Sequence, residues 1–312
     1  MNKIIPPTVD LQINGYAGID FNADELTETE LLVAFEQLKQ DGNRAVFPTL
    51  ITASDEQLLG RLQRLVDFRN SHPEFHSLIA GWHFEGPFLS AVPGYIGAHP
   101  KQFARIAERR LLDQLLNASS SLPVIVTLAP EQDPQGNITR WLSDQKVIVA
   151  AGHTDCSTTE LKCCIDQGLR MFTHLGNGCP LNMHRHDNII NRVLSLSDQL
   201  KISVICDGWH VPWNVLQLWK QIIPSENLIA VTDAISAAAC GEGEFPLGQQ
   251  SVTVGKDGVP RMSAGGQFAG SALTMPQCIE NLSNMLQLED HRICQWTSES
   301  AINLLSSFGH SL

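Results

Sequence analysis

The chain has 312 residues, of which 43% are hydrophobic and 17% charged, and a formal net charge of −12. That length carries a sizeable core in one large or two ordinary domains, and the apolar fraction excludes a disordered chain. No run approaches the roughly 18 apolar residues that span a bilayer, no apolar stretch follows the N-terminus before Pro6-Pro7, and no basic block is present. These features lead to the expectation of a cytoplasmic protein that partners neither nucleic acid nor membrane. None of the eight cysteines forms a CxxC pair, so neither a zinc ribbon nor a redox dithiol is written here, and structural thiols are expected.

Short β-branched runs alternate with longer amphipathic stretches along the chain. The strands predicted in order are 8–14 (TVDLQIN), 44–51 (RAVFPTLI), 78–85 (LIAGWHFE), 123–129 (PVIVTLA), 146–152 (KVIVAAG), 169–174 (LRMFTH), 201–206 (KISVIC) and 228–233 (LIAVTD). Helices are predicted over 25–41, 54–68, 101–117, 157–167 and 213–223; the second opens on Ser54 with Gln57 three residues on, a capping box. Residues 237–270 are rich in glycine, with QSVTV and VPRMS around KDG reading as a hairpin on the barrel mouth, and helices near 274–286 and 290–306 follow. Strands recurring about every 30 residues match a βα repeat, and eight such units close into a (β/α)8 barrel. No GxGxxG or GxxxxGK[ST] follows a strand, which removes the usual phosphate signature of the open-sheet alternative. A single barrel domain over 1–312 is expected.

In such a barrel the active site lies at the C-terminal ends of the strands. Those positions hold Gln12 and Asn14, Thr49, Glu85, His153, His174, Asp207 with His210, and Asp233. A strand end needs only a turn former, so two imidazoles and several carboxylates converging on one mouth point to a metal site. Two neutral His nitrogens and a Glu carboxylate (His153, His174 and Glu85) are the donor set of a catalytic divalent metal with an open position for water. Asp233, ending an apolar strand, suits proton transfer to a leaving amine. His83 shares the face of Glu85 two residues on, and His99 lies in a Gly/Pro-rich loop expected over the mouth.

Six motifs occur in an order that carries further information: HFEGPFLS with GAHP (83–100), AGHTD (151–155), THLGNG (173–178), CDGWHV (206–211), VTDA (231–234) and FAGSALTM (268–275). Together they resemble the N-acetylglucosamine-6-phosphate deacetylases of the amidohydrolase superfamily, over nearly the whole chain. The resemblance implies that Glu85, His153 and His174 bind one divalent metal, zinc, with iron, manganese or cobalt as alternatives. It also implies that Asp233 is the general base and acid, and that His99 polarises the acetamide carbonyl. By the same resemblance Ala98, Asn177, Gly178, Asp207, His210, Phe268, Ala269 and Gly270 line the sugar pocket. Arg185, set in CPLNMHRHDN, corresponds to an arginine that reaches the sugar phosphate in a neighbouring subunit, which implies a homodimer. Where many amidohydrolases carry HxH after strand 1, this chain reads Gln12-Ile13-Asn14, which favours a single metal. A compact form without the family's small β-sandwich domain is expected.

The leading functional expectation is hydrolysis of the acetamide of an amino-sugar phosphate. Two alternatives stand beside it: an amidohydrolase acting on another acylated or cyclic amide, and a non-catalytic barrel that binds sugar phosphate.

Overall fold

The computed structural model describes residues 7–248, 250–262 and 268–312. All eight predicted runs become strands: β1 (Thr8–Ile13), β2 (Asn43–Ile51), β3 (Trp82–Glu85), β4 (Val124–Leu128), β5 (Ile148–Ala151), β6 (Met171–Phe172), β7 (Lys201–Ile205) and β8 (Leu228–Val231). They form one eight-stranded parallel sheet in chain order. The first and last strands meet through the parallel bridge of Ile13 with Ala234, so the sheet curls into a barrel with helices outside, the (β/α)8 architecture expected.

Alternation along each strand explains the two buried faces. In β3 Trp82 and Phe84 pack outward into the main core, whereas His83 and Glu85 turn to the interior and make polar contacts. Each fully buried Phe or Leu of that core contributes about 1.5–3 kcal/mol. The interior below the mouth is polar and satisfied: His83 bonds Thr127 Oγ1 (2.7 Å) and the Leu11 carbonyl (3.1 Å), and Thr232 Oγ1 donates to Asp10 Oδ2 (2.5 Å). Burial pushes the Asp10 carboxyl up to about 7 despite the bonds from Thr232 and Gln12.

The outer helices α1 (Glu28–Gln40), α2 (Asp55–Ser71), α5 (Thr158–Asp166) and α7 (Trp213–Ile222) follow the predicted segments. Capping boxes at Thr27/Glu30, Ser54/Gln57 and Ser157/Glu160 start the first three. Three differences appear. The helix expected over 101–117 is a 3-10 turn (Lys101–Phe103), an extended stretch and α3 (Arg109–Ala118). Hydrogen bonds of Arg105 N to Pro87 O (3.0 Å) and Ala107 N to Gln132 O (2.8 Å) hold that stretch out of the helix. Two helices not expected, α4 (Asn137–Asp144) and α6 (Ile189–Leu194), complete the ring. After α8 (Met275–Asn284), the run expected over 290–306 is Asp290–Cys294 and Ser300–Ser307 joined by a π turn (Gln295–Glu299), where Trp296 Nε1 reaches Ser225 Oγ at 3.1 Å.

The hairpin on the mouth has three strands rather than two: β9 (Gly243–Leu247), β10 (Gln250–Val254) and β11 (Pro260–Met262), paired antiparallel. Ser263, the last residue of VPRMS, and 264–267 of the expected insertion lie outside the described residues, as do Gln249 and 1–6. The sheet rests on a small apolar cluster of Ile235, Ala237, Leu247, Val252, Val254 and Ala269, against which Ala98 packs. Among the described residues no helix is long and apolar enough to cross a membrane.

Candidate metal centre and active site

Three of the expected site residues sit in backbone conformations that L side chains rarely adopt: His153 (φ 51°), His174 (φ 31°) and Asp233 (φ 49°). Each directly follows a barrel strand or lies within two residues of its end, so the chain breaks its extended course there and turns the side chain over the mouth. Such strain persists only where the surroundings hold it, and it gathers at functional sites.

Glu85, at the end of β3, is the centre of the cluster. Its Oε1 lies 2.8 Å from His174 Nε2, 3.4 Å from His153 Nε2 and 3.0 Å from Gln12 Nε2, and its Oε2 lies 3.6 Å from His99 Nε2. All of these side chains are buried. Burial opposes ionisation of Glu85, yet the His153 and His174 contacts hold its carboxyl well below the ordinary value. For His174, burial works against protonation, and the Glu85 contact outweighs it to raise the imidazole's pKa. Burial beside His153 lowers His99 to about 3, so that ring is neutral.

The donor set fits a cation. Ligand atoms of Glu85, His99 and His153 all lie within 4.8 Å of one another, and His174 meets the same carboxylate. His153 Nδ1 lies 2.7 Å from the Tyr95 carbonyl, an acceptor, so Nδ1 carries a proton and the ring is held with Nε2 turned toward Glu85 Oε1. Nitrogen and carboxylate donors of this kind suit zinc and its first-row neighbours.

Asp233 lies beside this cluster, held across the β1–β8 seam. Its N donates to Gln12 O (3.0 Å), and Ser271 N donates to its carbonyl (3.0 Å). Asn14 Nδ2 donates to its Oδ1 at 2.7 Å. Burial raises the Asp233 carboxyl to about 6, with His174 opposing and Glu85 adding to the rise. A carboxylate titrating there can both accept and return a proton near neutrality.

Around this centre, Asp207 accepts from Trp209 N (2.8 Å) and His210 N (2.9 Å) through Oδ1, and its Oδ2 lies 2.6 Å from His210 Nδ1. Burial works against the charge on Asp207, but these bonds keep its carboxyl below the ordinary value. The His210 ring packs at 5.5 Å from Phe268, and the guanidinium of Arg261 lies over the Phe268 ring at 5.6 Å. Asn177 bonds the His174 carbonyl through both its backbone (2.9 Å) and its side chain (3.1 Å). Gly178 runs so close to His153 that a Cβ there would lie 2.7 Å from Nδ1. Gly270 (φ +57°) passes Ile235, and Ala269 and Ala98 share the apolar cluster under the hairpin. Arg185 stands apart: it is exposed and makes no ion pair among the described residues. His83 lies in the layer beneath Glu85, and burial lowers it to about 4.

Sequence reasoning did not single out Thr52 or Tyr95. Thr52 Oγ1 lies 3.0 Å from His99 Nδ1, and the Tyr95 carbonyl sets the tautomer of His153. A backbone carbonyl leaves no trace in residue type; the only signal for Thr52 is its place just past β2.

The chain is similar in sequence and fold to known proteins. No protein-family model matches the chain. The N-acetylglucosamine-6-phosphate deacetylase of Bacillus subtilis is 30% identical over 98% of this chain and 76% of that protein. An N-acetylgalactosamine-6-phosphate deacetylase of Escherichia coli O157:H7 is 28% identical over 89% of this chain and 72% of its own length. The structure of a mutant N-acetyl-D-glucosamine-6-phosphate deacetylase from Mycobacterium smegmatis, in complex with N-acetyl-D-glucosamine-6-phosphate, superposes with a TM-score of 0.86. It is 26% identical, over 97% of this chain and 77% of that one.

Proposed function

Because the chain belongs to the N-acetylglucosamine-6-phosphate deacetylase family, we propose that it hydrolyses the acetamide of N-acetylglucosamine-6-phosphate to glucosamine-6-phosphate and acetate. The observation that carries this reading is the convergence of three histidines on the Glu85 carboxylate beside Asp233. In this reading Glu85, His153 and His174, which come from three strand ends, hold one divalent cation, zinc or else iron, manganese or cobalt. The cation supplies Lewis acidity to the acetamide carbonyl and to water.

The chain's own residues do the rest. Asp233 takes a proton from water as the new C–O bond forms, then delivers it to the nitrogen as the C–N bond breaks. The neutral His99 donates from Nε2 to the carbonyl oxygen, with the Thr52 hydroxyl donating into Nδ1 at 3.0 Å. Asp207 locks His210 so that its Nε2 faces the sugar, and Phe268 packs beside it. Ala98, Asn177, Gly178, Ala269 and Gly270 complete the pocket wall. Arg185 grips the phosphate in the site of a second subunit of a homodimer, as its exposure allows. The whole chain works as one barrel unit, in the cytoplasm.

The test is acetate release from N-acetylglucosamine-6-phosphate, its galacto epimer and unphosphorylated N-acetylglucosamine, on protein of measured metal content. Strong preference for the phosphorylated gluco substrate with about one metal per chain is expected. Absent or equal activity on all three would overturn the assignment.

A further inference from the structure

We propose that Asn14 is a positioning residue for the reaction: its amide clamps one oxygen of Asp233 so that the other alone handles the proton. The inference rests on the deacetylase reading. Asn14 is buried, and its Nδ2 donates to Asp233 Oδ1 at 2.7 Å, while no hydrogen bond among the described residues reaches Oδ2. The segments that carry them are also joined through the backbone, by Asn14 N to Ala234 O (2.6 Å) and Asp233 N to Gln12 O (3.0 Å). The donor therefore stands on a rigid seam between the first and last strands, and a rotation of the carboxylate would break the 2.7 Å bond.

The other end of the same amide supports the assignment. Asn14 Oδ1 is buried and has no hydrogen-bond partner among the described residues. An unpaired buried acceptor is unfavourable by about 1–3 kcal/mol. Turning the amide over would set two oxygens against each other and strand the NH2 group instead. The orientation is thus dictated by Asp233, and the side chain forgoes a bond at one end to hold the carboxylate at the other.

The experiment measures kcat, KM, metal content and melting temperature for Asn14→Leu and Asn14→Ser, with Asp233→Asn prepared alongside. A hydrogen bond to a charged group predicts a loss of about tenfold to a hundredfold in kcat for Asn14→Leu. KM should stay within about twofold and the metal content should not change. Asn14→Ser, which keeps a shorter donor, should lose less; it also carries the test if the leucine variant fails to fold. Full kcat in the Asn14 variants with an inactive Asp233→Asn would overturn the clamp and leave the deacetylase reading standing. A fully active Asp233→Asn would instead overturn the reading on which the clamp rests. Loss of metal and a raised KM in both Asn14 variants would show a structural role and also overturn the proposal.

Discussion

Replacing Gly178 with alanine should disable the proposed metal site without substituting any of its proposed ligands. The backbone there has φ +60°, and a Cβ would stand 2.7 Å from His153 Nδ1, 2.9 Å from Cε1 and 3.0 Å from Cγ. Real carbon contacts do not come so close, so in a close-packed site the ring must retreat by about 0.5 Å or more. It has little room: its Nδ1 is bonded to the Tyr95 carbonyl at 2.7 Å, and the rings of His99 and His174 lie at 4.4 and 4.9 Å. Displacing a ligand and its supporting bond weakens metal affinity by about 10–100-fold, and a misplaced group loses activity by about a hundredfold. The left-handed backbone adds about 1–2 kcal/mol of strain, a fall of about 2–3 °C in melting temperature for a chain of this length. Gly18→Ala separates the two effects. Its φ is +88°, but among the described residues nothing lies within 4 Å of its Cβ, so it carries the strain alone. Metal titration, acetate release and thermal melts on both variants make the comparison. If Gly178→Ala keeps metal affinity and kcat/KM within about twofold of the parent, the packing argument is refuted whatever its melting temperature.

Three further outcomes are expected. Glu85→Gln keeps the shape of the side chain but removes the charge that His153, His174 and His99 face, so elemental analysis should find the metal largely lost; full occupancy would remove Glu85 from the ligand set. Asp10 holds its proton to about pH 7 in the folded chain, while the unfolded chain releases it near 3.8, so its contribution declines as pH rises between those values and is level above. The full difference is on the order of 4 kcal/mol, and Asp10→Asn should be increasingly stabilised relative to the parent from about pH 4 to pH 7 in denaturant melts. Parallel stability curves for the two proteins would contradict the buried-acid account. Arg185→Ala should raise KM for the phosphorylated sugar by about tenfold or more and leave turnover of the unphosphorylated sugar unchanged; equal effects on both would exclude a phosphate contact.

Much of the architecture was legible because it is local. The β-branched runs and the capping box at Ser54 encode conformations spanning only a few residues, and the regular recurrence of the runs implies a closed parallel sheet. Once eight parallel strands close, their C-terminal ends share one mouth, so Glu85, His153, His174 and Asp233 had to come near each other. The break in the helix expected over 101–117 was not legible, since it depends on Pro87 and Gln132 from other parts of the chain. Nor was the third strand of the hairpin, whose pairing partners are weakly patterned.

Residue type and spacing by themselves determined the fold class and the chemical character of the mouth. Only the tertiary structure decided what each polar group does there. Gln12 and Asn14 hold Glu85 and Asp233 across 73 and 219 residues of chain, and the loop after β3 brings His99 to within 3.6 Å of Glu85. The reason is physical: periodicity records which way a side chain points from its own strand, whereas a hydrogen bond between distant residues exists only after the barrel has closed and brought them within 3 Å.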